Sequence, residues 1–112
     1  MDAFVAKELF GGLDHESHDY AEFFRASTLS LSVSRWPAGS VDDQEPHTED
    51  EVYYVVSGRA WISVAEEEAA VGPGSVVFVA AGVEHRFHDI EEDIEVVVFW
   101  APPRHTNAPR ED

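Results

Sequence analysis

GSVDDQEPHTEDEVYYVVSG, residues 39–58, places two candidate ligands on an extended stretch immediately ahead of a strand. Glu45 and His47 are two positions apart, so an extended backbone sends both side chains from one face. Pro46 between them fixes its own φ and pushes Glu45 towards the β region, which favours that extension. A turn over residues 48–50 returns the chain, so Glu51 opens the next strand with Tyr53 and Val55 on its face.

A second strand-turn-strand unit follows at residues 74–89, GSVVFVAAGVEHRFHD. His85 begins its returning strand with Phe87 on the same face, and His88 points the other way. If the two units face each other inside a barrel, Glu45, His47, Glu51 and His85 converge on one point. Two carboxylates neutralise a divalent charge and lessen the cost of burying it. Mixed imidazole and carboxylate donors favour one borderline transition ion per chain, Fe, Mn, Zn, Ni or Cu, over magnesium or calcium.

The flanks read as short strands. In TLSLSVSRW, residues 28–36, Leu29, Leu31 and Val33 alternate with Ser30, Ser32 and Ser34, and the serines are expected to face solvent. EVYYVVS, RAWISVA, SVVFVA, HRFHD and IEVVVFW are rich in β-branched and aromatic residues. Turn signals lie at Ser57-Gly58, Gly72-Pro73-Gly74 and Ala81-Gly82, and the acid clusters at residues 66–68 and 91–93 read as charged hairpin tips. Without room for crossover helices, the expected class is all-β, a single small barrel. Residues 1–27 form an N-terminal segment, with a short helix over residues 3–10 ended by Gly11 and Gly12, that packs on the barrel or on a partner subunit. Residues 28–101 form the barrel. Residues 102–112, rich in proline, form a flexible tail. His15, His18 and His105 fall in polar or proline-rich stretches and read as solvated.

Composition narrows the partners. The chain has 112 residues, enough for one domain, with 44% apolar residues and 23 acidic against seven basic ones, a formal net charge of −16. A surplus of that sign repels phosphate backbones and anionic bilayers, so neither nucleic acid nor membrane is an expected partner. It suits a protein kept soluble in concentrated salt and equally an ordinary acidic protein. No cysteine is present, so thiolate ligands, thiol nucleophiles and disulfides are excluded. The first residues lack a basic leader followed by an apolar run, and a cytoplasmic location is expected. A homodimer is expected from the apolar surface of the N-terminal region and of the strand face carrying Trp36 and Trp100.

At the level of motifs the chain resembles the cupin superfamily, whose first motif reads G-x5-H-x-H-x3,4-E-x6-G and second G-x5-P-x-G-x2-H-x3-N. Gly39, His47, Glu51 and Gly58 match the first, and Gly74, Gly82 and His85 the second. Glu45 stands where the first histidine should be, Ala80 replaces the proline and Asp89 the asparagine. The resemblance implies a jelly-roll barrel, a double-stranded β-helix, and a range of activities: oxygenases, isomerases, decarboxylases and sugar-binding domains. Fold alone does not select among them. Four protein ligands leave up to two positions open in an octahedral sphere, so a metal-dependent enzyme on a small polar molecule, with dioxygenase chemistry foremost, is the first reading. A non-catalytic cupin that binds a small ligand around a structural metal is the alternative. Tyr53, beside the metal, and Arg35, near a strand end, are the candidate catalytic residues. No organic cofactor is called for.

Overall fold

A computed structural model describes residues 1–108 of the chain. One helix, α1 (Ala6–Gly11), precedes six strands: β1 (Asp19–Arg25), β2 (Ser30–Trp36), β3 (Asp50–Val64), β4 (Glu67–Val71), β5 (Val76–Val79) and β6 (His85–Ala101). All pairings are antiparallel, in the order β1-β2-β6-β3-β4, with β5 added to the first half of β3. The all-β barrel expected from the sequence is the observed fold.

Two long strands carry the architecture. The first half of β3 pairs with the second half of β6 (Tyr53 opposite Val98), and its second half with the first half of β6 (Ile62 opposite Phe87). The two halves close over one core that joins Tyr53, Val55, Val96, Val98 and Trp100 to Ala60, Ile62, Val71 and Phe87. Each strand must therefore turn its apolar face inward twice. In β3 the buried positions are odd-numbered through Val55 and even-numbered at Ala60 and Ile62, and the register shifts between Val55 and Trp61. In β6 they are odd-numbered at His85 and Phe87 and even-numbered from Ile90 to Trp100. An extra residue in a strand has this effect, because side chains alternate with a period of two.

Ser57-Gly58 and residues 91–93 are thus not hairpin turns. They lie inside β3 and β6, where the strands bend. Gly58 takes φ 93°, and a Cβ there would run into the Asp93 carbonyl and Ile94 Cα, so close backbone approach explains the glycine. In β6 the corresponding place is held by Asp89 at φ 46°, a left-handed conformation that Asp and Asn adopt more readily than other side chains. The two-residue hairpin between β3 and β4 comes instead at Ala65-Glu66, so Glu67 and Glu68 belong to β4.

The serines of β2 reverse the expected orientation. Ser30, Ser32 and Ser34 are buried, and Val33 packs on the other face against Phe10 and Leu13 from the N-terminal segment. The alternation is right in period and opposite in sense, because the N-terminal segment covers the Val33 face from outside and leaves the serine face to the interior of the barrel. Trp36 and Trp100 are also buried, 2% and 4% exposed, so they supply no apolar outer surface. The sheet begins at β1, within the segment expected to precede the barrel. Beyond β6, residues 103–107 form turns held to the body: Arg104 N–H donates to Ser30 Oγ at 2.9 Å, and His105 and Asn107 N–H donate to the Glu49 carboxylate at 2.6 and 3.0 Å. Of the tail expected over residues 102–112, residues 109–112 lie outside the described residues.

Gly58→Ala is expected to cost about 3 kcal/mol in denaturant unfolding, from a strained φ and a backbone collision that cannot relax. Gly39→Ala has a positive φ but open space around it, and should cost only about 1–2 kcal/mol.

Candidate metal centre

Three of the expected ligands meet at the mouth of the barrel. His47 precedes β3, Glu51 is its second residue and His85 opens β6. Their donor atoms lie within 4.8 Å of one another, against about 3–4 Å for donors held about 2.0–2.2 Å from a shared ion. Small side-chain rotations close that gap. The two loops that carry them are stitched together: Gly82 N–H donates to the His47 carbonyl at 2.6 Å, and Ala81 N–H to Asp50 Oδ1 at 2.8 Å.

The donor chemistry fits a cation. His85 holds Nδ1 2.9 Å from the Val83 carbonyl, which fixes the proton on Nδ1 and turns the Nε2 lone pair to the site. Nε2 lies 2.7 Å from Glu51 Oε1 but out of line for a hydrogen bond, and Nε2 and Glu51 Oε2 are both buried without a hydrogen-bond partner. An unpartnered carboxylate oxygen and an imidazole nitrogen in a buried site call for a positive charge there, supplied by a proton on His85 or by a cation. Burial draws the His85 pKa down, but the Glu51 carboxylate and the Val83 carbonyl outweigh it, so the net shift is upward. For His47 burial acts first and is reinforced by His85, Arg104 and His105, lowering its pKa to about 4 and leaving a neutral imidazole.

Glu45 does not join the group. Its side chain is exposed and lines a separate groove with Glu49 and His105. The alternation that would pair it with His47 requires a strand, and residues 40–47 are irregular. Gln44, three positions before His47, takes the inward place: its Oε1 lies 2.9 Å from His47 Nε2 and 3.3 Å from the Tyr53 hydroxyl. Asp42 sets this orientation. Buried to 4% exposure, it accepts Gln44 Nε2 at 2.7 Å, Gln44 N–H at 3.1 Å and, from β6, Phe87 N–H at 2.8 Å. A carboxylate only accepts, so the amide nitrogen faces Asp42 and the oxygen faces the site.

Tyr53 is buried beside the ligands and donates its hydroxyl to Glu51 Oε1 at 3.2 Å. Burial, then the Glu51 charge, push its pKa well above the ordinary phenol value, so it is a proton-bearing positioning residue. Arg35 lies elsewhere, also buried, with contacts to the His15 carbonyl at 2.8 Å, Asp93 at 2.6 Å and Glu95 at 3.7 Å. Its strand position puts it on the Val33 side of β2, away from the cavity.

That cavity, about 110 Å³, opens from the ligands towards β1 and β2. Ser32, Ser34, Trp36, Val98 and Trp100 form its wall, and His18, Tyr20 and Arg104 also line it. His18 stacks flat on Trp36, ring centroids 4.3 Å apart, rather than standing free in a polar stretch. Gln44, Asp42, His18 and Arg104 escaped the sequence reading, since no spacing rule relates them to the histidine motifs.

The family model described as "Cupin domain" matches residues 32–102, more than half of the chain. The chain belongs to the cupin family. An uncharacterized protein from Streptomyces coelicolor is 46% identical to this cupin over 103 residues, covering 92% of this chain and 98% of its own. Among solved structures, TT1209 from Thermus thermophilus has a TM-score of 0.77 at 25% identity, covering 92% of this chain and 99% of its own. The DMSP lyase DddQ from Ruegeria pomeroyi has a TM-score of 0.73 at 20% identity, covering 85% of this chain and 50% of its own. The last of these shows likeness of fold.

Glu49 ties the post-barrel segment to the loop carrying the ligands, and its buried carboxylate is held ionised: burial raises its pKa, but bonds from Thr48, Asn107 and His105 outweigh that and lower it. Glu49→Ala is expected to speed amide exchange at His105 and Asn107 roughly 10- to 100-fold, the worth of a charge-assisted hydrogen bond. Hydrogen-exchange NMR reads both amides directly, and unchanged rates would show that the segment is held by other contacts.

Proposed function

We propose that this cupin is a metal-dependent enzyme acting on a small polar molecule, with one transition-metal ion held by His47, Glu51 and His85 and with Gln44 Oε1 as a fourth donor. The observation that carries this reading is the cluster of His47, Glu51 and His85, whose donor atoms lie within 4.8 Å of one another, with His85 Nε2 and Glu51 Oε2 buried and without a hydrogen-bond partner, and with His47 and Glu51 also lining an open cavity. Imidazole with carboxylate and amide oxygen suits iron, manganese, zinc, nickel or copper. Bound there, such an ion would polarise a substrate oxygen or, if reducible, support dioxygen chemistry. The chain's own groups do the rest: Asp42 orients Gln44, the Val83 carbonyl selects the His85 tautomer, Tyr53 steadies Glu51, and the Trp36 and Trp100 wall excludes water. The alternative, a non-catalytic cupin with a structural ion, is favoured if turnover is never seen with a reducible ion.

The test is metal content by elemental analysis on untagged protein, together with thermal melting. An ion at about a hundred times its Kd adds roughly 2.7 kcal/mol to the native state, and a chelator should remove it. His47→Ala, Glu51→Ala and His85→Ala are expected to abolish the chelator-sensitive increment. Asp42→Ala, which frees Gln44, should weaken metal affinity about 10- to 100-fold. Glu45→Ala should keep full metal content. Loss of the ion in Glu45→Ala to the same degree as in His47→Ala would restore Glu45 to the ligand set and remove Gln44 from it.

We propose, too, that the chain is a homodimer, joined through the outer face of β5, β3 and β6. Phe78, Val52 and Phe99 lie side by side across three strands, with Val76, Tyr54 and Val97 in the next row. Phe78 and Val76 are 60% and 65% exposed, and the six positions carry no charge in a chain of net −16. A second copy offers the same apolar rows and closes the contact by two-fold symmetry. Light scattering should give a dimer that Phe78→Asp converts to a monomer; a monomeric parent protein would sink this part of the proposal.

A further inference from the structure

The cavity above the candidate metal centre sets one arginine against one carboxylate, in a chain of net charge −16. Among the described residues Glu51 is the one acidic group that lines it, and Glu51 belongs to the candidate ligand group. Arg104 supplies a positive charge. Its guanidinium carbon lies 4.3 Å from the Tyr20 ring centroid and 5.5 Å from that of Trp100, so two aromatic faces hold the planar group in place. Among the described residues Arg104 makes no salt bridge, and its Nε is buried without a hydrogen-bond partner. Trp100 continues the line inward, with its ring packed edge-on to His47 at 4.7 Å. Arginine and ligand set thus belong to one continuous wall.

Three further polar groups on that wall want partners. Trp36 Nε1, Trp100 Nε1 and Ser32 Oγ are buried with no hydrogen bond, in residues 2%, 4% and 1% exposed. Indole nitrogen donates only, and a guanidinium accepts nothing, so a ligand rich in acceptors fits and one rich in donors does not. An apolar ligand would leave all of them unsatisfied, at about 1–3 kcal/mol for each group. A cation would be repelled by Arg104 and by the ion together. For scale, an apolar cavity of about 150 Å³ admits benzene, so about 110 Å³ encloses about four or five non-hydrogen atoms of a ligand, and the open side of the cavity leaves room for one or two more.

Resting on the metal centre proposed above, the geometry points to a small organic carboxylate as the ligand of this cavity. Its carboxylate pairs with Arg104, the two indole N–H groups and Ser32 are the donors available to its remaining oxygens, and its other end lies against His47 and Glu51. Arg104 is then the specificity-determining residue for the anion. It stands outside the ligand set, so the two readings fail separately.

The test is calorimetric titration of the zinc-loaded full chain with lactate, pyruvate, 2-oxobutyrate and 3-hydroxybutyrate, each against its neutral amide, with zinc content measured in parallel. At least one acid is expected to bind, with its amide about tenfold or more weaker, since a charge-assisted pair is lost. Arg104→Gln should lower acid affinity by a similar factor without lowering zinc content, and Arg104→Lys should recover part of it. Acid and amide binding alike, an acid affinity indifferent to Arg104→Gln, or no acid binding to zinc-loaded protein would overturn the carboxylate reading and leave the metal centre standing. Zinc content near zero with acid binding that still depends on Arg104 would do the reverse. Should Arg104→Gln lose stability as well, the lysine variant decides: affinity as poor as that of the glutamine variant sinks the proposal.

Discussion

The barrel rests on one constraint of the β-strand: side chains alternate with a period of two, so a strand that serves two facing sheets must break its alternation once. β3 breaks it around Gly58 and β6 at Asp89, and the apolar positions of both strands change parity there. Gly58 has no Cβ to meet Asp93, and Asp89 tolerates the left-handed conformation. With the parity set this way, Glu51 and Tyr53 at one end of β3 and His85 and Phe87 at the start of β6 all face the same interior. A strand that kept its alternation would send half of this set to solvent.

Most of the fold and the three residues of the candidate metal group could be read from the sequence because they obey short-range rules. Glycine-anchored turns mark the loops, and the period-two runs mark the strands. His47, Glu51 and His85 each stand next to or within such a run. Glu45 stands apart from the group because the two-apart rule holds only where the backbone is extended, and residues 40–47 follow an irregular path held by the buried Asp42. The serines of β2 failed for a different reason. Which face of an amphipathic strand is interior depends on what covers it, and α1 supplies an apolar cover that no local pattern announces.

Polar residues in the interior are therefore informative in this chain. Ser30, Ser32 and Ser34 share the inward face of β2 with Trp36, and the cavity lies where that polar strip meets the mouth of the barrel. Small hydroxyls there leave room that leucines would fill, and they keep the wall able to hydrogen-bond. Charge follows a similar division. Most acidic side chains lie on the outer surface, while the cavity wall shows one arginine, two indoles, the His18 and His47 imidazoles and the Glu51 carboxylate. A chain of net charge −16 can thus keep a recess in which an arginine balances the one carboxylate, because local field depends on which groups line a site and not on the total.

The Glu49 clasp joins two parts of the chain that differ in how freely they can change. His47, Glu51 and His85 sit on strands and tight turns whose backbone is fixed by the barrel. Arg104 sits on a short run of turns after the last strand, anchored by Ser30 and Glu49 but outside the sheet. Substitutions or changes of length in that run leave the strand pairing and the histidines untouched while altering which molecule meets the centre. Descent with a constant barrel and a drifting extension would then yield relatives that share a metal site but not a ligand, and overall sequence identity would be a poor guide to which ligand each one takes.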